Sequence, residues 1–256
     1  VAEVIQLPLE DEGRGSLSAK CIRQLEKMLE GKTAVAIGPG LSTAGDVPAV
    51  VRFVLENANI PLIIDADALN SIAAETSIST GTSISPDSSM SLGISISSST
   101  LVSHAISISP VTSVLGKIKN KAIVTPHPGE MARLTGKSIE YIQKHRLETA
   151  REFSAKWNVI TVLKGSRTVI ALPDGRAYIN TTGNPGMATA GTGDVLTGII
   201  TALAARGINP EKAALLGVYL HGRAGDLATG ELGENGLVAS DLVKKLPEAY
   251  EEFIAE

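Results

Sequence analysis

The segment GNPGMATAGTGDVLTG, residues 183–198, places five glycines and a single carboxylate at the head of an apolar run. Val195, Leu196, Ile199, Ile200 and Leu203 recur at helical spacing, and Gly207 stands where such a helix would stop. The glycines therefore fall at a helix N-terminus, where unpaired N–H groups and the positive end of the macrodipole favour an anion. Without a Cβ at Gly191 or Gly193 a ligand can reach the backbone, and phosphate is the natural guest. Asp194 would repel that guest. Its carboxylate needs a task of its own.

Four further turns carry polar residues. GPG at 38–40 could be a turn alone, and KGSRT at 164–168 reads equally well as a tight turn or a ligand loop. His127, between Pro126 and Pro128, sits in a stretch held extended, and a structural histidine is the plain alternative to a functional one. Asp65 and Asp67 follow an apolar strand with side chains expected on one side, to hold a metal or to cap a turn. Met187, Trp157 and His221 read as packing residues, and no Cys or His spacing points to zinc.

The elements that must position these residues alternate. TAVAIGPG, PLIIDADALN and KAIVTPHPGE each read as a buried strand ending in a polar turn. Helices are expected over 46–57, 138–157 and 211–228, the last capped by Asn209 and Pro210. VITVLKGSRTVIALPDGRAYIN is β-rich, with a turn at 173–175. This alternation predicts an α/β fold, a largely parallel sheet with helices on both faces and one cleft at the carboxyl ends of its strands. A chain of 256 residues with 43% hydrophobic and 20% charged residues suffices for one large domain or two small ones. A net charge of -4 without a basic block disfavours nucleic acid. The lone Cys21 excludes an internal disulfide and suits a reducing, cytoplasmic setting, and no run approaches the roughly 18 apolar residues of a membrane span. Because the chain opens on Val, a processed or truncated N-terminus is expected. The Ser/Ile-rich stretch 76–113 breaks the pattern; its alternation suits an edge hairpin, though serine is a poor core former.

Taken in order, GPGLS, DADALN, TPHPGEMARL, VLKGSRTVI, GNPGMATAGTGDVLTG and YLHGRAGDLA resemble the ADP-dependent NAD(P)H-hydrate dehydratases of the ribokinase-like superfamily, over residues 1–74 and 118–256. The resemblance implies a single ribokinase-like domain over 1–256 that repairs NADHX and NADPHX. In that family a nucleotide phosphorylates the hydrate hydroxyl, and loss of phosphate restores NADH or NADPH. ADP, or ATP, is the implied co-substrate, with Mg2+ whose ligands are not assigned. By the same resemblance Asp194 is the catalytic base and also contacts the substrate. Lys164, Gly165, Ser166, Arg167, Thr168, Gly191, Thr192 and Gly193 line the nucleotide, and Gly38, Gly40 and His127 line the hydrated cofactor. Alanine at Lys164 or Arg167 is then expected to weaken ADP binding without altering the thermal transition. A homo-oligomer, with a tetramer among the candidates, and a fused epimerase domain are implied as well.

Two departures accompany the resemblance. The family's N-terminal strand-turn-helix unit is not found, and the stretch 76–113 is long enough to stand in its place in the sheet. Ser42 replaces the last glycine of the family's GPGLG. A vitamin-alcohol kinase of the same superfamily and a catalytically silent nucleotide-binding protein are the competing readings.

Overall fold

Every strand of the central sheet is short, and its two faces are filled by different helices. The computed structural model describes residues 4–79, 114–118 and 122–255. Within these, β1 (Val35–Ile37), β2 (Leu62–Ile64), β3 (Ala122–Val124), β4 (Ile160–Leu163), β5 (Val169–Ala171) and β6 (Ala177–Ile179) pair in chain order. β1 to β4 are parallel, whereas β4–β5 and β5–β6 are antiparallel hairpins. The expected mostly parallel sheet is present, with KGSRT and PDG as its two hairpin turns.

Strand alternation divides the core. Leu62, Ile64, Ala122, Val124, Leu163 and Ala171 face one side, where they meet α2 (Val47–Asn57), α3 (Ala66–Ser79), α4 (Pro128–Thr135), α5 (Ile139–Lys144) and α6 (Arg146–Trp157). Ile63, Ile123, Ile160, Val162 and Ile170 face the other, against α7 (Thr192–Ala205) and α8 (Pro210–Leu232). Crossovers of one hand place all the connecting helices on the first face. The second is left for the helices that follow β6. α1 (Ile22–Leu29) precedes the sheet, and α9 (Ala239–Ala255) closes the chain against α8.

Local signals explain the boundaries. Asn209 accepts from Glu211 N–H at 3.0 Å and Pro210 opens α8, as the sequence predicts. Asp46 precedes α2, but its Oδ2 accepts from Ala19 N–H at 3.0 Å instead of capping its own helix. The helix expected over 138–157 is two helices, broken at His145 (φ -126, ψ 43). The break turns Arg146 inward, where its Nη2 donates to Leu163 O at 3.0 Å. α3 runs to Ser79; residues 80–113, and with them the expected edge hairpin, lie outside the described residues.

Thr161, on the α2–α6 face between Val124 and Ala171, is fully buried, and its hydroxyl has no hydrogen-bond partner among the described residues. An unsatisfied buried hydroxyl costs about 1–3 kcal/mol. Thr161→Val keeps the β-branched shape and removes the group. It is expected to stabilise the protein by about 1 kcal/mol, read as a melting temperature raised by about 2–4 °C.

Candidate active site

The carboxyl ends of β1 to β4 converge on one ion pair. Asp65, immediately after β2, is 1% exposed, and its Oδ1 lies 2.6 Å from Nζ of Lys164, which follows β4 and is 18% exposed. Its Oδ2 accepts from Thr197 Oγ1 of α7 at 2.7 Å. The carboxylate therefore ties two strand ends and a helix together. The Gly38 turn after β1 closes against the same residue: a Cβ at Gly38 (φ +133) would come within 1.8 Å of Asp65 O. The sharp turn is completed by Ala66, a non-glycine residue at φ 46.

The expectation that Asp65 and Asp67 share one side does not hold, because β2 ends at Ile64 and α3 begins at Ala66. Asp67 Oδ2 instead accepts from Ser42 N–H at 2.8 Å. Ser42, where the family pattern has glycine, adopts the left-handed conformation (φ 66), and its Oγ accepts from Ala44 N–H at 3.2 Å. The turn is retained, with a hydroxyl on it.

His127 is the N-cap of α4. Its Nδ1 accepts from Gly129 N–H at 2.9 Å, while Glu130 Oε2 accepts from His127 N–H at 2.7 Å, a reciprocal capping box. Burial pushes the imidazole below its usual range, against the pull of Glu130. An Nδ1 that accepts leaves the proton on Nε2. The structural role is thus present; the ring is half-exposed, and its Nε2 lies 3.5 Å from Glu130 Oε1. Glu130 also approaches Lys164 Nζ at 3.8 Å. Sequence reasoning did not single out Glu130 or Thr197. The reciprocal glutamate three residues after the cap was the available signal for Glu130; none was available for Thr197.

α7 begins at Thr192, so Asp194 lies in its first turn and not ahead of it; Gly191 (φ 86) is the N-cap. The N–H groups of Gly191, Gly193 and Asp194 find no acceptor among the described residues, whereas that of Thr192 turns back to Thr189 O at 3.5 Å. Thr192 Oγ1 is committed to Met187 O and Thr189 O, both at 2.9 Å. A Cβ at Gly193 would lie 3.5 Å from Lys164 Nζ, so the ammonium rests beside the helix start. The Asp194 carboxylate is exposed and makes no hydrogen bond or ion pair among the described residues. It caps nothing.

In the 164–168 loop, Gly165, Ser166 and Arg167 are exposed, with Arg167 at φ 54, and Thr168 Oγ1 donates to Gly165 O at 3.1 Å. Arg146, which sequence reasoning missed, packs its guanidinium against Gly165 with no carboxylate partner among the described residues. Gly40 (φ 69) borders open space. A cavity of about 310 Å³, lined by Pro185, Gly186, Ala188, Thr189, Glu234, Asn235 and Leu237, adjoins the glycine segment. The described residues contain no group of three His, Cys, Asp or Glu side chains that could hold a metal ion, and no described helix is long and apolar enough to cross a membrane.

A family model described as NAD(P)H-hydrate dehydratase matches residues 6–85 and 101–248. The chain belongs to this family. It is 40% identical over 245 residues to the bifunctional NAD(P)H-hydrate repair enzyme Nnr of Moorella thermoacetica, covering 96% of this chain and 39% of that protein. The Bacillus subtilis ADP/ATP-dependent NAD(P)H-hydrate dehydratase, crystallised with ATP/Mg2+, superposes with a TM-score of 0.65 at 34% identity, over 89% of this chain and 69% of that one. A ribokinase-like superfamily protein of Enterococcus faecalis gives 0.67 at 26% identity, over 91% and 68%. The fold is ribokinase-like, as the sequence motifs imply. The chain spans about two fifths of the length of these bifunctional repair enzymes.

The ion pair corrects one expectation. Lys164 is not a free loop cation, so Lys164→Ala leaves Asp65 buried without its charge partner. It should cost about 3 kcal/mol or more, seen as a lowered melting temperature. Pairing Lys164→Met with Asp65→Asn should recover most of that loss. Arg167→Ala, on an exposed side chain, should leave the transition in place, and it is therefore the clean probe of nucleotide affinity by calorimetric titration.

Proposed function

We propose that this chain repairs NADHX and NADPHX by nucleotide-dependent dehydration, with ADP as phosphoryl donor and ATP as the alternative. The observation that carries the reading is the pairing of an uncommitted carboxylate, Asp194, with the free N–H groups of Gly191 and Gly193 on one helix start. A carboxylate beside an anion site makes sense when a hydroxyl is to be activated between them.

In this reading the hydrate hydroxyl oxygen attacks the terminal phosphoryl group, its proton passes to Asp194, and the bond from phosphorus to the AMP oxygen breaks. The N–H groups of Gly191 and Gly193 and the fixed Lys164 ammonium meet the charge on the transferred group. The carbon–oxygen bond then breaks with loss of a proton from the neighbouring ring carbon, releasing phosphate and restoring the reduced nicotinamide. The Lys164–Thr168 loop and the Arg146 guanidinium border the phosphate side. His127, Gly38 and Gly40 border the hydrated-cofactor side. The cavity beside Thr189 suits the nucleoside end. Magnesium would be held chiefly by phosphate oxygens and water, which such sites commonly use in place of a protein cage, and would neutralise phosphate charge.

The proposal extends to a cytoplasmic homo-oligomer and, in keeping with relatives named as bifunctional repair enzymes, to fusion with an epimerase domain. Incubation with NADHX, ADP and magnesium should raise the absorbance of reduced nicotinamide. Accumulation of a phosphorylated product without NADH would indicate a kinase, and nucleotide binding without turnover a silent binding protein.

Asp194→Asn keeps the size of the side chain and removes its basicity. It should lower kcat by roughly 10²–10⁴-fold, the usual contribution of a general base. ADP affinity should hold or rise, since a negative charge beside the phosphates is gone. The melting temperature should be unchanged, because the carboxylate makes no hydrogen bond or ion pair among the described residues. Parental turnover by a folded variant, measured in the same assay, would remove Asp194 from the mechanism.

A further inference from the structure

α8 carries one feature that the phosphoryl-transfer reading does not use. His221, on its inward face, places Nε2 2.9 Å from Thr192 O. A carbonyl only accepts, so the ring carries its proton on Nε2 and donates it. The peptide unit that receives this hydrogen bond joins Thr192 C=O to Gly193 N–H. Because a peptide is planar and conjugated, fixing its carbonyl fixes the direction of its N–H, and hydrogen bonding at the oxygen makes the N–H a stronger donor.

The surroundings hold the same segment from other directions. On α8, Tyr219 O accepts from Thr182 Oγ1 at 3.0 Å. Asp226 accepts from Gly183 N–H at 2.9 Å and from Asn184 Nδ2 at 3.0 Å. Gly222 and Gly225 let Thr182 and Met187 approach to distances at which a Cβ would clash, 2.2 and 2.3 Å. The glycine segment is laid against α8 by these contacts, and among them only that of His221 reaches the peptide bearing a free anion-site N–H.

We propose that His221 is a positioning residue that orients and polarises the Gly193 N–H toward the transferred phosphoryl group. This rests on the phosphoryl-transfer reading above. Loss of a whole anion-hole donor costs about 10²–10³-fold in kcat. Here the donor remains and is only weakened, so the expected loss is about tenfold.

The test compares His221→Leu with His221→Gln, whose amide can still donate to Thr192 O. In His221→Leu, kcat should fall about tenfold while KM for the hydrate stays within about twofold, since the effect is confined to the transition state. In glycine-labelled protein the Gly193 amide resonance should move upfield. In His221→Gln both should return toward parental values. Parental kcat and an unmoved Gly193 resonance in the folded Leu variant would overturn the proposal, as would equal kcat losses in both variants with that resonance in place. If the Leu variant does not fold, the Gln variant decides: near-parental kcat and resonance support the role, and lost kcat with an unmoved resonance overturns it. If the parent does not turn over NADHX, the functional reading fails on its own. The resonance then still decides His221: its shift on titration with ADP should be smaller in His221→Leu than in the parent, and an equal shift would overturn the role.

Discussion

The site depends on the buried pair between Asp65 and Lys164. At 2.6 Å the two charges attract by several kcal/mol even at an effective dielectric near 20. Their desolvation costs a comparable amount, so little net stability results. The consequence is geometric. An ammonium that would otherwise sweep through solvent is fixed at the helix start, beside Gly193. The same carboxylate draws in Thr197 and so sets α7 against the ends of β2 and β4. The turn after β1 follows, because Gly38 can close on Asp65 only without a side chain.

Around this pair the polar groups divide into those with partners and those without. Asp65, Asp67, Glu130 and the Thr192 hydroxyl are all committed within the protein. Asp194 and the N–H groups of Gly191 and Gly193 have no partner among the described residues. That division is the physical basis for reading the first set as scaffold and the second as machinery. His127 belongs with the first set: its Nδ1 builds the α4 cap, and its Nε2 lies beside Glu130.

Much of the fold was legible because its signals are local. The period of two in LII and AIV sorts side chains between two cores, and Asn209-Pro210 and Gly207 punctuate helices within one turn of where they act. The glycines and Asp194 were legible for the same reason. The scaffold of the site was not. Asp65 and Lys164 are 99 residues apart, and Asp65 and Thr197 are 132 apart, so no window of the sequence contains either pair. Lys164 therefore read as a free loop cation. Arg146 was hidden differently: nothing in the polar run 138–157 marks the break at His145 that turns its side chain inward. The first turn of α7 was not legible because Thr192 and Gly193 are poor helix formers that a first turn nonetheless tolerates.

In the mechanism we propose, the hydrate hydroxyl oxygen leaves as part of phosphate. It is tested most directly by dehydrating NADHX whose hydroxyl carries ¹⁸O, in the presence of ADP and magnesium, and weighing the inorganic phosphate released. Transfer to the hydroxyl followed by elimination places one ¹⁸O in each phosphate formed. Unlabelled phosphate, with the isotope recovered in water, would contradict it.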